Sequence, residues 1–389
     1  MEEESLKMLG GMLNELRRVY GSLTQRLVES LATPPRRLYI RVNTLRATVE
    51  EVLEEMGKEG VRARKDEEVD EAVYVELEGP FKLPGDIDKA FIVDEKTAAS
   101  VMMGSNLYRP GVLKADSVRR GELVKVVSKH GFYVGVVEAT MSSSELFRVS
   151  KGLIGVNIVS VYRAPKINEL SVYRKGLIYP QGLPAMVTTL FLNPREGDLV
   201  ADLNASPGGK TGHVVQYTKG KSRVIAFDRN TPKIEVLKTN LERLGLNINV
   251  LAIPYDSRYA HLDFNLNERV DRVLIDPPCS NLGVRPKLTF DKTLMDILNN
   301  ANYQKQFLKT AYRILKKGGV AVYSTCTLTL RENEEVVSYA VKELGFESIE
   351  ADSRFSRLDK VYFEDIVGYR FHPLNGDMPG YFIALLKKP

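Results

Sequence analysis

Cys279 and Cys326 are the two thiols in a chain of 389 residues, and each closely follows a run of β-forming apolar residues. The first is reached through Val273, Leu274, Ile275, Asp276, Pro277 and Pro278; the second through Val320, Ala321, Val322, Tyr323, Ser324 and Thr325. A thiol in a polar, partly open loop at a strand end can ionise and attack carbon, whereas one enclosed by apolar neighbours is inert packing. A disulfide between the two is a further option. Two cysteines without clustered histidines make no structural zinc site, and no metal is expected.

A second chemical feature lies upstream. Leu199 to Leu203 reads as a buried strand carrying Asp202, and it runs into Asn204, Ala205, Ser206, Pro207, Gly208, Gly209, Lys210 and Thr211. A glycine turn between strand and helix exposes backbone N–H groups and lets a ligand approach closely. The phosphate loop of nucleotide-hydrolysing proteins is excluded by spacing, because its first glycine would fall on Asn204. The next strand ends in Asp228, 19 residues beyond Gly209, where nucleoside-binding α/β folds place a ribose acceptor. A third strand, Ile248 to Ile253, leads to Asp256. Any one of these aspartates could be a helix cap, but three successive strand ends outline an adenosine-sized site.

The elements that must position these residues follow from periodicity. From Asp198, strands rich in Val, Leu and Ile alternate with helices, Thr231 to Gly245 among them, which predicts a parallel α/β sheet. A helix is expected to end at Gly318 and Gly319. Upstream, Leu6, Leu9, Leu13 and Leu16, then Leu27 and Leu31, have helical spacing; Leu38, Ile40 and Val42 alternate, and Thr48 with Glu51 forms a capping box. That predicts a small α+β region over residues 1–88. Short β-like runs, Glu122 to Val127 and Phe132 to Ala139, predict a β domain over 89–164, leaving 165–389 for the α/β domain. Between Asp88 and Arg163, 11 Lys and Arg stand against 7 Asp and Glu, within a chain of net charge +5. This segment is the candidate nucleic-acid contact. An acidic N-terminus and no apolar run of membrane-spanning length predict a cytoplasmic protein that does not enter membranes.

These motifs resemble those of the Nop/Sun family of RNA 5-methylcytosine methyltransferases over nearly the whole chain. The resemblance rests on Asn204 to Thr211, on Asp276 to Ser280 and on Ser324 to Cys326, with Tyr179, Pro180 and Gln181 as lead-in and Arg41 with Asn43 upstream. Arg370, Pro373, Gly380 and Phe382 are similar to the family's closing segment. Residues 91–163 resemble a PUA domain, an RNA-binding β barrel, and the N-terminal region resembles an RRM-like unit. The combination is similar to the branch that acts on the tRNA acceptor end. Ser206, Pro277, Asn281 and Thr327 depart from the family pattern, Asn281 standing where glycine is usual.

The resemblance implies a Rossmann-like methyltransferase domain that binds S-adenosyl-L-methionine through residues 204–210, Asp228, Asp256 and Asp276. Its partner would be RNA, with no DNA expected. It also implies why two thiols are wanted. Carbon 5 of cytosine becomes nucleophilic after a thiolate adds to carbon 6, and a proton must later leave carbon 5. Cys326 would attack and Cys279 would assist release. Asp276 would stabilise the developing charge, and Lys210 would supply positive potential. The alternatives are an amino methyltransferase acting on an RNA base, which needs no cysteine, and a non-catalytic RNA-binding or ribosome-assembly factor.

Overall fold

Apolar residues at helical spacing produce two N-terminal helices, α1 (Glu2–Tyr20) and α2 (Thr24–Leu31). The computed structural model describes residues 2–351 and 355–389; the side chains of residues 2–10, with Leu6 and Leu9, lie outside this description. Met12, Leu16, Leu27 and Leu31 are buried against Leu282, Ile297 and Leu328, which belong to the far end of the sequence. The two helices thus also dock on the cysteine-bearing domain, beyond the region expected over residues 1–88. An amphipathic stripe announces that a helix must be covered but not by what.

The α+β unit proper begins with β1 (Arg37–Val42), α3 (Val49–Lys58), β2 (Ala63–Lys65) and β3 (Ala72–Glu76). Thr48 and Glu51 close the capping box at the start of α3. The chain then leaves this unit for β4 (Ala90–Val93), α4 (Glu95–Met102), β5 (Leu107–Tyr108), β6 (Val112–Ala115), β7 (Leu123–Ser128), β8 (Tyr133–Ala139), α5 (Ser143–Leu146) and β9 (Leu153–Ser160). Six of these elements form one sheet, ordered β5-β9-β8-β7-β4-β6, around Phe91, Val124, Val137 and Ile154. Leu288, nine residues beyond Cys279, is packed into the same core.

After this domain come α6 (Ser171–Arg174) and β10 (Ile178–Pro180), and β10 pairs antiparallel with β1. The first sheet is therefore ordered β10-β1-β3-β2, a βαββαβ arrangement whose second half follows the inserted β domain. Leu170, Val172 and Ile178 share a core with Val42, Val52 and Val73. The boundary expected at residue 165 is thus corrected to beyond Pro180, because three residues of strand complete a sheet begun 140 residues earlier in the sequence. So short a strand carries too little periodicity to be read in advance. At the crossing, the Glu78 and Arg163 backbones exchange hydrogen bonds of 3.2 and 2.9 Å.

The α/β domain runs α7 (Leu183–Leu192), β11 (Leu199–Asp202), α8 (Gly209–Tyr217), β12 (Arg223–Asp228), α9 (Thr231–Leu244), β13 (Val250–Pro254), α10 (Ala260–Asp263), β14 (Val270–Ile275), α11 (Leu294–Ile314), β15 (Leu315–Thr325) and α12 (Glu334–Leu344). It closes with β16 (Glu347–Ile349), β17 (Asp359–Phe363), β18 (Ile366–Phe371) and β19 (Tyr381–Lys387). The order is β13-β12-β11-β14-β15-β19-β18-β17, with β16 on β19. Strands β11 to β15 are parallel, so their C-terminal ends share one edge. The order reverses between β11 and β14, the switch point at which such sheets bind ligands. The α11 helix ends at Ile314, not at Gly318 and Gly319. Those glycines lie within β15, because Leu315 is already extended and pairs with Val270. Among the described residues no helix is long and apolar enough to cross a membrane.

Candidate active site

The turn after β11 is built around a buried acid. Asp202 accepts from the Thr211 hydroxyl at 2.7 Å and the Asn204 N–H at 3.3 Å, and burial pushes its carboxyl up to about 6. Gly208 has φ of +101°, a left-handed conformation suited to glycine. At Gly209 a Cβ would come within 2.9 Å of the Tyr179 ring, so the helix can start this close to β10 only without a side chain. The result is a cavity of about 190 Å³ lined by Gln181, Asn204, Ser206, Gly209, Lys210 and Asp276 among others, with Ala205 and Pro207 also on its wall.

Two buried polar atoms of lining residues have no hydrogen-bond partner among the described residues: Asn204 Oδ1, an acceptor, and Gln181 Nε2, a donor. Unsatisfied buried groups are costly, and a bound polar ligand removes the cost. The ammonium, carboxylate and nucleoside groups of S-adenosylmethionine fit that requirement. Behind the turn, fully buried Arg41 donates to Gln181 Oε1 at 2.5 Å and to the Gly209 carbonyl at 2.7 Å, and burial draws it down to about 10. We predict that Arg41→Ala lowers unfolding free energy by roughly 2–4 kcal/mol through orphaned acceptors and a cavity. Cofactor affinity should fall with it; urea unfolding and calorimetric titration of S-adenosylmethionine measure both.

Lys210 and Asp276 are joined by an ion pair of 2.5 Å. Burial pulls the Lys210 ammonium down, but Asp276 and Tyr381 outweigh it and raise it above its ordinary value. Tyr381, itself pushed up to about 12 by burial, donates to Ser324 Oγ at 3.1 Å and reaches Asp276 Oδ1 at 3.5 Å. Lys210 is therefore committed to the carboxylate. Lys287, partly buried on the segment after Cys279, is held below its ordinary value by burial.

The two cysteines meet beyond the adjacent ends of β14 and β15. Cys279 Sγ and Cys326 Sγ are 3.4 Å apart, unbonded, and both side chains are partly exposed. Their loops are locked together by Glu332, which accepts from the Ser280 N–H at 2.8 Å, from the Ser280 hydroxyl at 2.5 Å and from Thr329 Oγ1 at 3.0 Å. Gln304 bridges Glu332 Oε1 and the Pro278 carbonyl, and the Gly283 N–H donates to the Cys326 carbonyl at 3.0 Å. Burial raises the Glu332 carboxyl, and the hydrogen bond with Cys326, then burial and the charges of Cys326 and Glu332, raise the Cys279 thiol.

The structure thus gathers Asn204 to Lys210, Asp276, Cys279 and Cys326 at one edge. Asp228 and Asp256 lie at the ends of neighbouring strands but outside the lining of the 190 Å³ cavity. Asp228 sits 3.8 Å from Lys233 Nζ, and Asp256 holds Arg258 in a two-point contact. Sequence reading did not single out Glu332, Gln304 or Tyr381. The charged run at residues 331–335 between apolar segments was a usable signal for Glu332; Tyr381 has none beyond its place beside Gly380.

Family comparisons agree with this geometry. Residues 189–387 match the 16S rRNA methyltransferase RsmB/F model, residues 89–162 a PUA domain, and residues 12–82 the ferredoxin-like domain of RsmF/B-like methyltransferases. The chain is 36% identical to the tRNA (cytosine(72)-C(5))-methyltransferase of Pyrococcus horikoshii, across 99% of both chains. It is 31% identical to human tRNA (cytosine(72)-C(5))-methyltransferase NSUN6, across 81% of this chain and 74% of the human one. The crystal structure of NSun6 from Pyrococcus horikoshii with SFG superposes with a TM-score of 0.88 at 34% identity, covering 97% of each chain. A sheet with this switch point, a cofactor turn and paired thiols accordingly belong to a member of the Nop/Sun, or RsmB/F, family of S-adenosylmethionine-dependent RNA cytosine-5 methyltransferases.

Proposed function

We propose that this enzyme methylates carbon 5 of a cytosine at the tRNA acceptor end, position 72, with Cys326 as covalent nucleophile. The observation that carries the covalent reading is the pair of sulfurs 3.4 Å apart, in loops that also hold Asp276. Direct methylation of an amine would have no use for either thiol. The position is supported by two relatives named for cytosine 72 and by the PUA match, a module suited to single-stranded RNA ends.

Cys326 adds to carbon 6 as a thiolate, aided by the positive charge of Lys287. Asp276, oriented by Lys210 and Ser324, accepts from the protonated ring nitrogen or the exocyclic amine, stabilising the charge that develops on addition. The turn at residues 204–209 would hold S-adenosylmethionine, with Asp228 and Asp256 as candidate acceptors at the neighbouring strand ends, and the cofactor would supply an electrophilic methyl group. Cys279 then assists removal of the carbon 5 proton, and the Cys326–carbon bond breaks. The target base must leave its stack first, at a cost of a few kcal/mol that is lowest near a helix end.

The test is to incubate the full chain with total tRNA and methyl-labelled S-adenosylmethionine and map the modified cytosines. Methylation is expected at cytosine 72 of a subset of tRNAs. Label confined to other positions, or to exocyclic amines, overturns the proposal.

A further inference from the structure

Asn281 occupies a backbone position with φ of +55°, left-handed territory that asparagine tolerates and glycine favours. That explains why a glycine suits the site, but not what the asparagine side chain does. Its Oδ1 lies 2.9 Å from Cys326 Sγ and 3.5 Å from Cys279 Sγ. One carboxamide oxygen thus faces both thiols, and a glycine would offer neither of them an acceptor.

We propose that Asn281 is a positioning residue whose carboxamide oxygen accepts the S–H of both cysteines and holds the pair protonated until RNA enters the site. A hydrogen bond made to the neutral form of an acid disfavours its ionisation. The surrounding groups divide. Glu332, behind the Cys279 loop, opposes a thiolate at Cys279, whereas the Asn281 backbone N–H favours one. The carboxamide oxygen approaches the Cys326 sulfur most closely. The benefit is chemical: two thiols 3.4 Å apart invite unwanted oxidation or alkylation whenever one is ionised. An incoming base that displaces the carboxamide releases Cys326 to ionise at the moment of attack. This rests on the reading of Cys326 as the nucleophile.

The experiment follows iodoacetamide alkylation of Cys326 against pH by peptide mass spectrometry, in the full-length protein and in Asn281→Gly and Asn281→Asp. Glycine fits the backbone and removes the acceptor; its half-alkylation pH should fall by about one unit. Aspartate adds a negative charge, and its value should rise. The acid limb of the methylation pH profile should shift in the same directions. Unchanged alkylation curves in both variants, or an upward shift in Asn281→Gly, overturn the proposal. A purely structural role would lower methylation without moving the alkylation curve. Because alkylation needs no RNA, a failure of the nucleophile assignment would appear separately, as methylation surviving Cys326→Ala.

Discussion

Cys326→Ala should reduce methyl transfer by about 10³-fold or more and eliminate the covalent enzyme–RNA complex. The loss is large because the residue does not merely assist a reaction that proceeds without it: cytosine carbon 5 carries too little electron density until carbon 6 has gained a thiolate. Folding should be unaffected. The side chain is partly exposed, and the bond from the Gly283 N–H goes to the Cys326 carbonyl, which alanine retains. Measurement is by methyl incorporation into tRNA and by denaturing electrophoresis of the complex. Turnover within tenfold of wild type would reject Cys326 as the nucleophile and return the amino methyltransferase reading to first place.

Cys279→Ala should do something different in kind: an adduct resistant to denaturant should accumulate, with turnover down by about 10²-fold. The raised Cys279 thiol owes most to its hydrogen-bonded neighbour Cys326, then to burial and the charge on Cys326. Once the Cys326 sulfur is bonded to the ring it bears no charge, so part of what keeps Cys279 protonated disappears. That release comes with adduct formation, so Cys279 is already available as a base when methyl transfer sets up the proton that must leave. Pre-steady-state trapping tests this. Normal turnover with no trapped species would show that another group removes the proton.

The chemistry was legible in the sequence to the extent that it is written in local motifs. The cofactor turn, Asp276 and both cysteines each lie directly after a strand whose apolar run announces it, and a parallel sheet brings such ends together without further information. What escaped was non-local. Glu332 acts on Ser280, 52 positions away, and nothing in either segment's pattern points to the other. Lys210 reads as a free cation beside a glycine turn, yet its partner Asp276 fixes it at 2.5 Å. The pairing of β10 with β1 is non-local in the same way. Ile178 to Pro180 is too short to reveal that it finishes a sheet opened by Arg37 to Val42, and amphipathic α1 and α2 do not disclose that they cover Leu282 and Leu328. Extended backbone at Leu315 likewise overrode the glycine stop expected at Gly318.

The PUA domain is spliced into another domain's strand order instead of being appended to it. Two covalent crossings side by side at Glu78 and Arg163, with Leu288 plugged into its interior from the cysteine-bearing segment, give it three anchors. A module fastened that way works as a fixed gauge, not as a tethered hook: the reach from its surface to the sulfur pair is set by the scaffold. Lengthening either crossing by a few residues would therefore change that reach.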